Sequence, residues 1–355
     1  MVECVRATAG LYGTAPTCYL SLAARVEGFH KRDLDLELYE RRSLRRMRAL
    51  RGSGFMIPVE MINVVVSAED REGWYGQHVE KVLNSAGRNL LEKEVLQAMK
   101  GRIVTTRELR QELALEGARA EALKYLMAML TGQQRITSAG VVGGWRSNQF
   151  RYALWEEWFP AHPPQKIDAE MARVQIANWY LSGHGPATLN DFKWWSGLKK
   201  ENARIALESS EAVMVSNEDD PMYDLPGRPD APTPSGLRLL PVWDTAIVTQ
   251  ESRRRMVDPS HYRFVYDFDG NATSTVVIDG SVAGVWDRKG DNKRLIVKAA
   301  PLTGFGSAEW DAIETEASVI GRAVGADEVD VVRMSELTDL QAAGRNRFLS
   351  PLSGQ

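Results

Sequence analysis

The feature that most constrains the fold is the order of elements between residues 78 and 160. Leu91, Val95 and Met99 recur every four residues and mark one face of a helix. The stretch KGRI interrupts it. Thr105 then stands three residues ahead of Glu108, the spacing at which a hydroxyl caps a helix start and a carboxylate reaches back to it. That box opens a short helix with Leu109 and Leu113, and Gly117 ends the stretch. Leu123, Leu126, Met127 and Leu130 follow at i, i+3, i+4, i+7, a third helix. In QRITSAGVVGGWRSNQFRYALW the glycines read as a turn, and Phe150, Tyr152 and Leu154 alternate as in a half-buried strand. Three helices and a hairpin are the order of a winged helix, a helix-turn-helix variant with a β-hairpin wing.

The rhythm returns twice, without sequence self-similarity. In 164–220 a helix runs through AEMARVQIANWYL and GHGPA breaks it. Thr188 and Asp191 start a second helix, and ENARIALE leads into the apolar AVMV. In 1–77 Leu34 and Leu38 lie four apart but also alternate with acids, so two periods compete. The Leu, Glu and Arg content of RDLDLELYERRSLRRM favours helix, and RALRGSGFMIPVEM reads as a strand bounded by Gly and Pro. Residues 221–236 read as a Pro-rich linker. Beyond it LRLLPVW, YRFVYDF, TSTVVID, SVAGVWD and RLIVKA are strand candidates, with a hairpin turn at Asp279-Gly280. A helix through EWDAIETEASVIGRAV and the strand DEVDVVRM complete a small β-rich domain, 237–355. The expected class is α+β: winged helices at 1–77, 78–163 and 164–220, the linker, then the β-rich C-terminal domain.

Most chemistries find no residues to carry them. There is no Walker loop and no G-x-S-x-G. His30, His78, His162, His184 and His261 are scattered, with none of the spacings that hold a metal, so neither metal nor cofactor is expected. The two cysteines form no CxxC pair, which fits a reducing cytoplasm. No apolar run approaches the roughly 18 residues of a membrane helix.

The net charge of −3 is unlike that of a generally basic nucleic-acid binder, so contact with a polyanion must be local. The sharpest patch holds Arg41, Arg42, Arg45, Arg46, Arg48 and Arg51. On a helix Arg41, Arg45 and Arg48 share a face suited to phosphates. The competing reading is a solvated face balanced by Asp33, Asp35, Glu37 and Glu40. A second cluster, Arg253, Arg254 and Arg255, is followed by His261 and Arg263. The wing of the second unit offers Trp145, Arg146 and Arg151, for a groove or for packing on its own domain. Phe192, Trp194 and Trp195 read mainly as core. Asp244 in VWDT reads first as a turn cap, and more weakly as a pocket residue.

GLYGTAPTCYLSLAARVEGF, LYERRSLRRMRALRGSGFMIP, GHGPATLNDFKWWSGL, LLPVWDTAIVTQESRR and VVIDGSVAGVWD occur in this order. As an ordered set spanning nearly the whole chain, they resemble the tandem winged-helix DNA glycosylases of the AlkZ/YcaQ type. The resemblance implies three winged helices and a β-rich domain embracing double-stranded DNA. It also implies metal-free cleavage of the N-glycosidic bond of bulky alkylated or crosslinked purines. The family's catalytic pair is Gln-x-Gln or Gln-x-Asp, thought to hold a water against C1′. Here Gly10-Leu11 match, but the pair is Tyr12 and Thr14, and Ala15 precedes Pro16. Hydroxyls can hold a water but are not bases at neutral pH.

Relatives usually carry a further helix before this segment, whereas nine residues precede Gly10 here. The resemblance therefore leads one to expect that the first unit is N-terminally incomplete or that the start is misassigned. Three readings stay open: a DNA-binding protein without strong glycosylase activity, a glycosylase working through Tyr12 and Thr14, and a protein-interaction module. Tandem units in one chain remove the usual need for dimer symmetry, so a monomer is expected.

Overall fold

The computed structural model describes residues 1–69, 72–216, 221–228, 233–290 and 293–340. It is a mixed α+β structure whose sheets are small. Three sheets of three strands repeat one plan, in which a two-residue strand pairs with the returning strand of a hairpin. Leu11–Tyr12 pairs with Ser53–Pro58, itself paired with Leu44–Ala49. Val104–Thr105 pairs with Gln149–Leu154 and that strand with Ile136–Val142. Ala187–Thr188 pairs with Met222–Asp224 and that strand with Val213–Ser216. In the second and third sheets the short strand runs straight into a helix. There Thr105 and Thr188 form the capping boxes with Glu108 and Asp191 that their spacing required.

A five-stranded sheet follows, in the order Leu237–Leu240, Thr275–Ile278, Ser281–Gly290, Arg294–Pro301, Glu328–Arg333. Its pairs are antiparallel except the last, which is parallel and joined by the helix Ser307–Val324. Asp279 and Gly280 both take positive φ, 47° and 82°, as a two-residue hairpin turn demands.

Four expectations are corrected. The helix expected through residues 32–47 stops early. It is α-helical over Lys31–Asp35 and widens to a π turn over Leu36–Glu40, and the arginine run then becomes the strand Leu44–Ala49. Helix propensity is a weak preference, and six residue pairs with Ser53–Pro58 override it. YRFVYDF is a turn of helix, Tyr262–Val265, of which only Tyr266 bridges to Ala272. Met222–Asp224 lies in the stretch read as linker but completes the third sheet, while residues 229–232 of that stretch lie outside the described residues. Gly117 opens the helix Gly117–Gly132 rather than ending the one before it, which stops at Glu112.

The cores cross these sheets. One joins Met47, Phe55 and Ile57 of the first sheet to Trp155 beside the second and to Trp179, Tyr180 and Trp195 near the third. Another joins Leu11, Tyr19 and Leu22 to Trp145, to Leu239 and Val297 of the C-terminal sheet, and to Trp310 and Ile313 of the helix Ser307–Val324. The helices around Leu91, Leu109 and Leu126 keep a core of their own. The segment at residues 10–16 therefore sits where several parts of the chain meet.

Candidate functional site

Tyr12 and Thr14 both line one cleft of about 650 Å³. That is within the roughly 300–1,000 Å³ usual for small-molecule sites. Its walls are aromatic and thioether-rich, with Phe55, Phe150, Tyr152 and Met127, and Arg46, Arg48 and Lys124 add positive charge. The Tyr12 ring lies 5.8 Å from Phe55 and 5.2 Å from Trp243, centroid to centroid. Trp243 also lines a second cavity of about 200 Å³ with Asp267, Asn271 and Arg288.

The backbone between Tyr12 and Pro16 is held tightly. The Gly13 N–H donates to the Gly54 carbonyl at 2.8 Å. A Cβ at Gly13 would come within 2.5 Å of the Phe55 carbonyl group, so only glycine permits this approach. Arg46 donates through Nε to the Gly13 carbonyl and through Nη2 to Asn148 Oδ1. Asn148 accepts from the Ala15 N–H at 2.8 Å and donates back to the Ala15 carbonyl at 2.9 Å. The Thr14 hydroxyl oxygen is buried and has no hydrogen-bond partner among the described residues.

The arginines expected on one helix face are dispersed by the strand. Arg45 and Arg46 are 2 % and 4 % exposed, so neither reaches a phosphate from there. Arg45 stacks on Trp155 at 4.4 Å and donates to the Thr131 carbonyl at 3.2 Å. Burial pulls its guanidinium down to about 9, still cationic at neutral pH. Arg42 stacks on Trp158 at 4.0 Å and donates to its carbonyl, and Arg41 pairs with Glu37 at 2.6 Å. Arg48 is exposed at the cleft. Arg51 lies 3.7 Å over Trp194, which Arg253 approaches at 5.9 Å. Burial lowers the Arg51 guanidinium from its ordinary value, and Arg253 pushes the same way. Phe192 and Trp195 are buried as expected, whereas half-buried Trp194 is a platform for two cations.

Arg254 is exposed and unpaired among the described residues. Arg255 is tied to the carbonyls of His184 and Pro186, at 3.1 and 2.6 Å. Exposed Arg151 donates to the Ile103 carbonyl at 3.3 Å. The hairpin bearing Trp145 does not project outward. Trp145 is 8 % exposed and packs edge-on against Tyr19, and Arg146 donates to the Gly290 carbonyl at 2.9 Å. Asp244 lines neither cavity. It is fully buried, caps the helix Thr245–Val248, and binds Ser21 and Arg25. In this position it serves as a helix cap and an ion-pair partner.

Asn148 and Phe55 were not singled out from the sequence, and Tyr152 was read only as part of a strand, since only folding brings them to the motif. Phe268 was missed too. It is 74 % exposed in the turn where Asp267 binds Asn271, beside the Arg253 cluster. Among the described residues no three His, Cys, Asp or Glu side chains gather to hold a metal. No described helix is long and apolar enough to cross a membrane.

The fold is similar to that of a solved structure. The Streptomyces sahachiroi DNA glycosylase AlkZ shares 22 % identity and a TM-score of 0.73 with it, over 93 % of this chain and 92 % of that one. The profile of the DNA glycosylase AlkZ-like family matches residues 5–323, and the chain belongs to that family. No curated protein matches it.

Proposed function

We propose that this chain binds damaged double-stranded DNA through three winged-helix units, spanning about 1–77, 78–163 and 164–220. A bulky alkylated base enters the aromatic cleft, and the base is not released at a glycosylase's rate. The observation that carries this reading is that the motif positions lining the cleft, Tyr12 and Thr14, carry hydroxyls and no amide or carboxylate. Hydrolysis needs a water at C1′, an acceptor for its proton, and charge to stabilise the oxocarbenium-like centre as the bond to the base breaks. A neutral hydroxyl orients water but takes no proton at neutral pH. The aromatic walls remain able to stack a planar base. Exposed Arg48, Arg254 and Arg151 supply phosphate contacts, and exposed Phe268 an apolar one.

A second reading is favoured by one observation. The buried Thr14 hydroxyl has no hydrogen-bond partner among the described residues and sits on a pinned backbone, as a water-holding group would. Base release from a duplex carrying a bulky N7-alkylguanine, at excess protein, separates the two. The first reading expects tight, salt-sensitive binding and no abasic sites above background. Abasic sites that form in the wild type and vanish in Thr14→Ala would establish the second.

A further inference from the structure

The loop 143–148 joins Ile136–Val142 to Gln149–Leu154, and it is turned inward onto the motif. Trp145 anchors it on Tyr19 and Arg146 on Gly290, with Gly143 and Gly144 making the turn at φ 89° and 79°. Asn148 closes the loop. It is an exposed residue, yet its amide spends both ends on the backbone of Ala15, 133 positions away.

We infer that Asn148, with Arg46 behind it, is a positioning residue that fixes Thr14 in the cleft. Two peptide planes flank the Thr14 Cα. The plane before it carries the Gly13 carbonyl, which accepts from Arg46. The plane after it carries the Ala15 N–H, which donates to Asn148. Arg46 and Asn148 are themselves bonded, so the two planes are held by one connected unit. With both planes fixed, the Thr14 side chain has one direction, and Gly54 leaves room for its methyl across the sheet. Asn148 lies in the loop of the second hairpin and residues 12–14 follow from the first sheet, so the site is complete only when that hairpin is docked on the first unit.

This rests on the lesion-binding reading above, and the experiment separates the two. Affinities of wild type, Asn148→Ala and Gln149→Ala are measured on an N7-alkylguanine duplex and on the undamaged duplex. Melting midpoints and amide hydrogen exchange at Ala15 accompany them. Asn148→Ala is expected to lose about tenfold in discrimination between the duplexes, the scale of one net hydrogen bond. Its affinity for undamaged DNA and its midpoint stay at wild-type values, and the Ala15 amide exchanges faster. Gln149→Ala, the exposed neighbour on the same hairpin, behaves as wild type.

Wild-type discrimination in Asn148→Ala despite a freed Ala15 amide overturns the inference. So does an equal loss on both duplexes, which would make Asn148 a direct DNA contact. If the wild type itself does not discriminate, the lesion-binding reading has failed and the inference falls with it.

Discussion

Removing the Asp244 carboxylate is expected to loosen the junction between the first unit and the C-terminal sheet while leaving the cleft intact. Asp244 is 0 % exposed and the Arg25 side chain 17 %. The pair is bidentate, Arg25 Nη1 to Oδ2 at 2.8 Å and Nη2 to Oδ1 at 2.5 Å. Ser21 donates at 2.7 Å and the Ala246 N–H at 3.0 Å. Asp244→Ala strands a largely buried guanidinium, a loss of about 3–5 kcal/mol for a broken buried pair. It also removes a helix cap worth about 1 kcal/mol by itself. The residual exposure of Arg25 screens the stranded charge, which sets the net loss near about 3 kcal/mol. With about 2.1 cal/mol/K of unfolding entropy per residue, the melting midpoint of a chain of this size then falls by about 4 °C. Asp244→Ala with Arg25→Met is expected to recover part of the loss, because the uncompensated charge goes too. Urea denaturation gives the stability, and affinity for the alkylated duplex is measured well below the transition. A variant as stable as wild type that no longer discriminates the lesion would refute the structural role and return Asp244 to the pocket.

Two further predictions concern buried basic side chains. His184 is buried, with Nε2 against the Thr8 carbonyl at 3.0 Å, and burial pulls its imidazole down to about 4. Between about pH 6.5 and pH 4 the unfolded chain binds a proton that the folded one refuses, so stability is full above that window and falls by up to about 3 kcal/mol through it. The urea midpoint of wild type should drop between pH 7 and pH 4.5 by more than that of His184→Gln, and equal drops would contradict the assignment. Arg45 has no carboxylate partner among the described residues, and its Nε and Nη1 lack hydrogen-bond partners. Arg45→Met is expected to be neutral or stabilising by about 1 kcal/mol with DNA affinity unchanged, and a tenfold loss of affinity at intact stability would place Arg45 on the DNA.

What was legible in the sequence was local. The boxes at Thr105/Glu108 and Thr188/Asp191 and the turn at Asp279-Gly280 are defined within four residues, and the structure has them. The arginine run misled because its fate is decided at long range. Arg42, Arg45 and Arg51 lay their guanidiniums on Trp158, Trp155 and Trp194, more than 100 positions away. Arginine stems pack against apolar surface as readily as they reach for phosphate, and charge patterning does not separate the two. For Trp145 and Arg146 the sequence left two readings open, since a glycine-rich hairpin with a Trp and an Arg suits a groove and a protein surface equally. At the motif, the sequence shows which groups are missing at 12 and 14. The clamp of Arg46 and Asn148 that still holds the segment joins residues 102 positions apart and shows only in the fold.

The most direct measurement is base release by Tyr12→Gln/Thr14→Gln, which puts the family's pair of amides back into the cleft. Single-turnover rates on the N7-alkylguanine duplex are compared with those of wild type at matched DNA occupancy. If the frame of the site is intact and only the reacting groups are absent, the double variant forms abasic sites at least about 100-fold faster, an effect of the size general catalysis supplies. A wild type that already releases the base as fast as the double variant, or a double variant that binds the duplex and releases nothing, would contradict this.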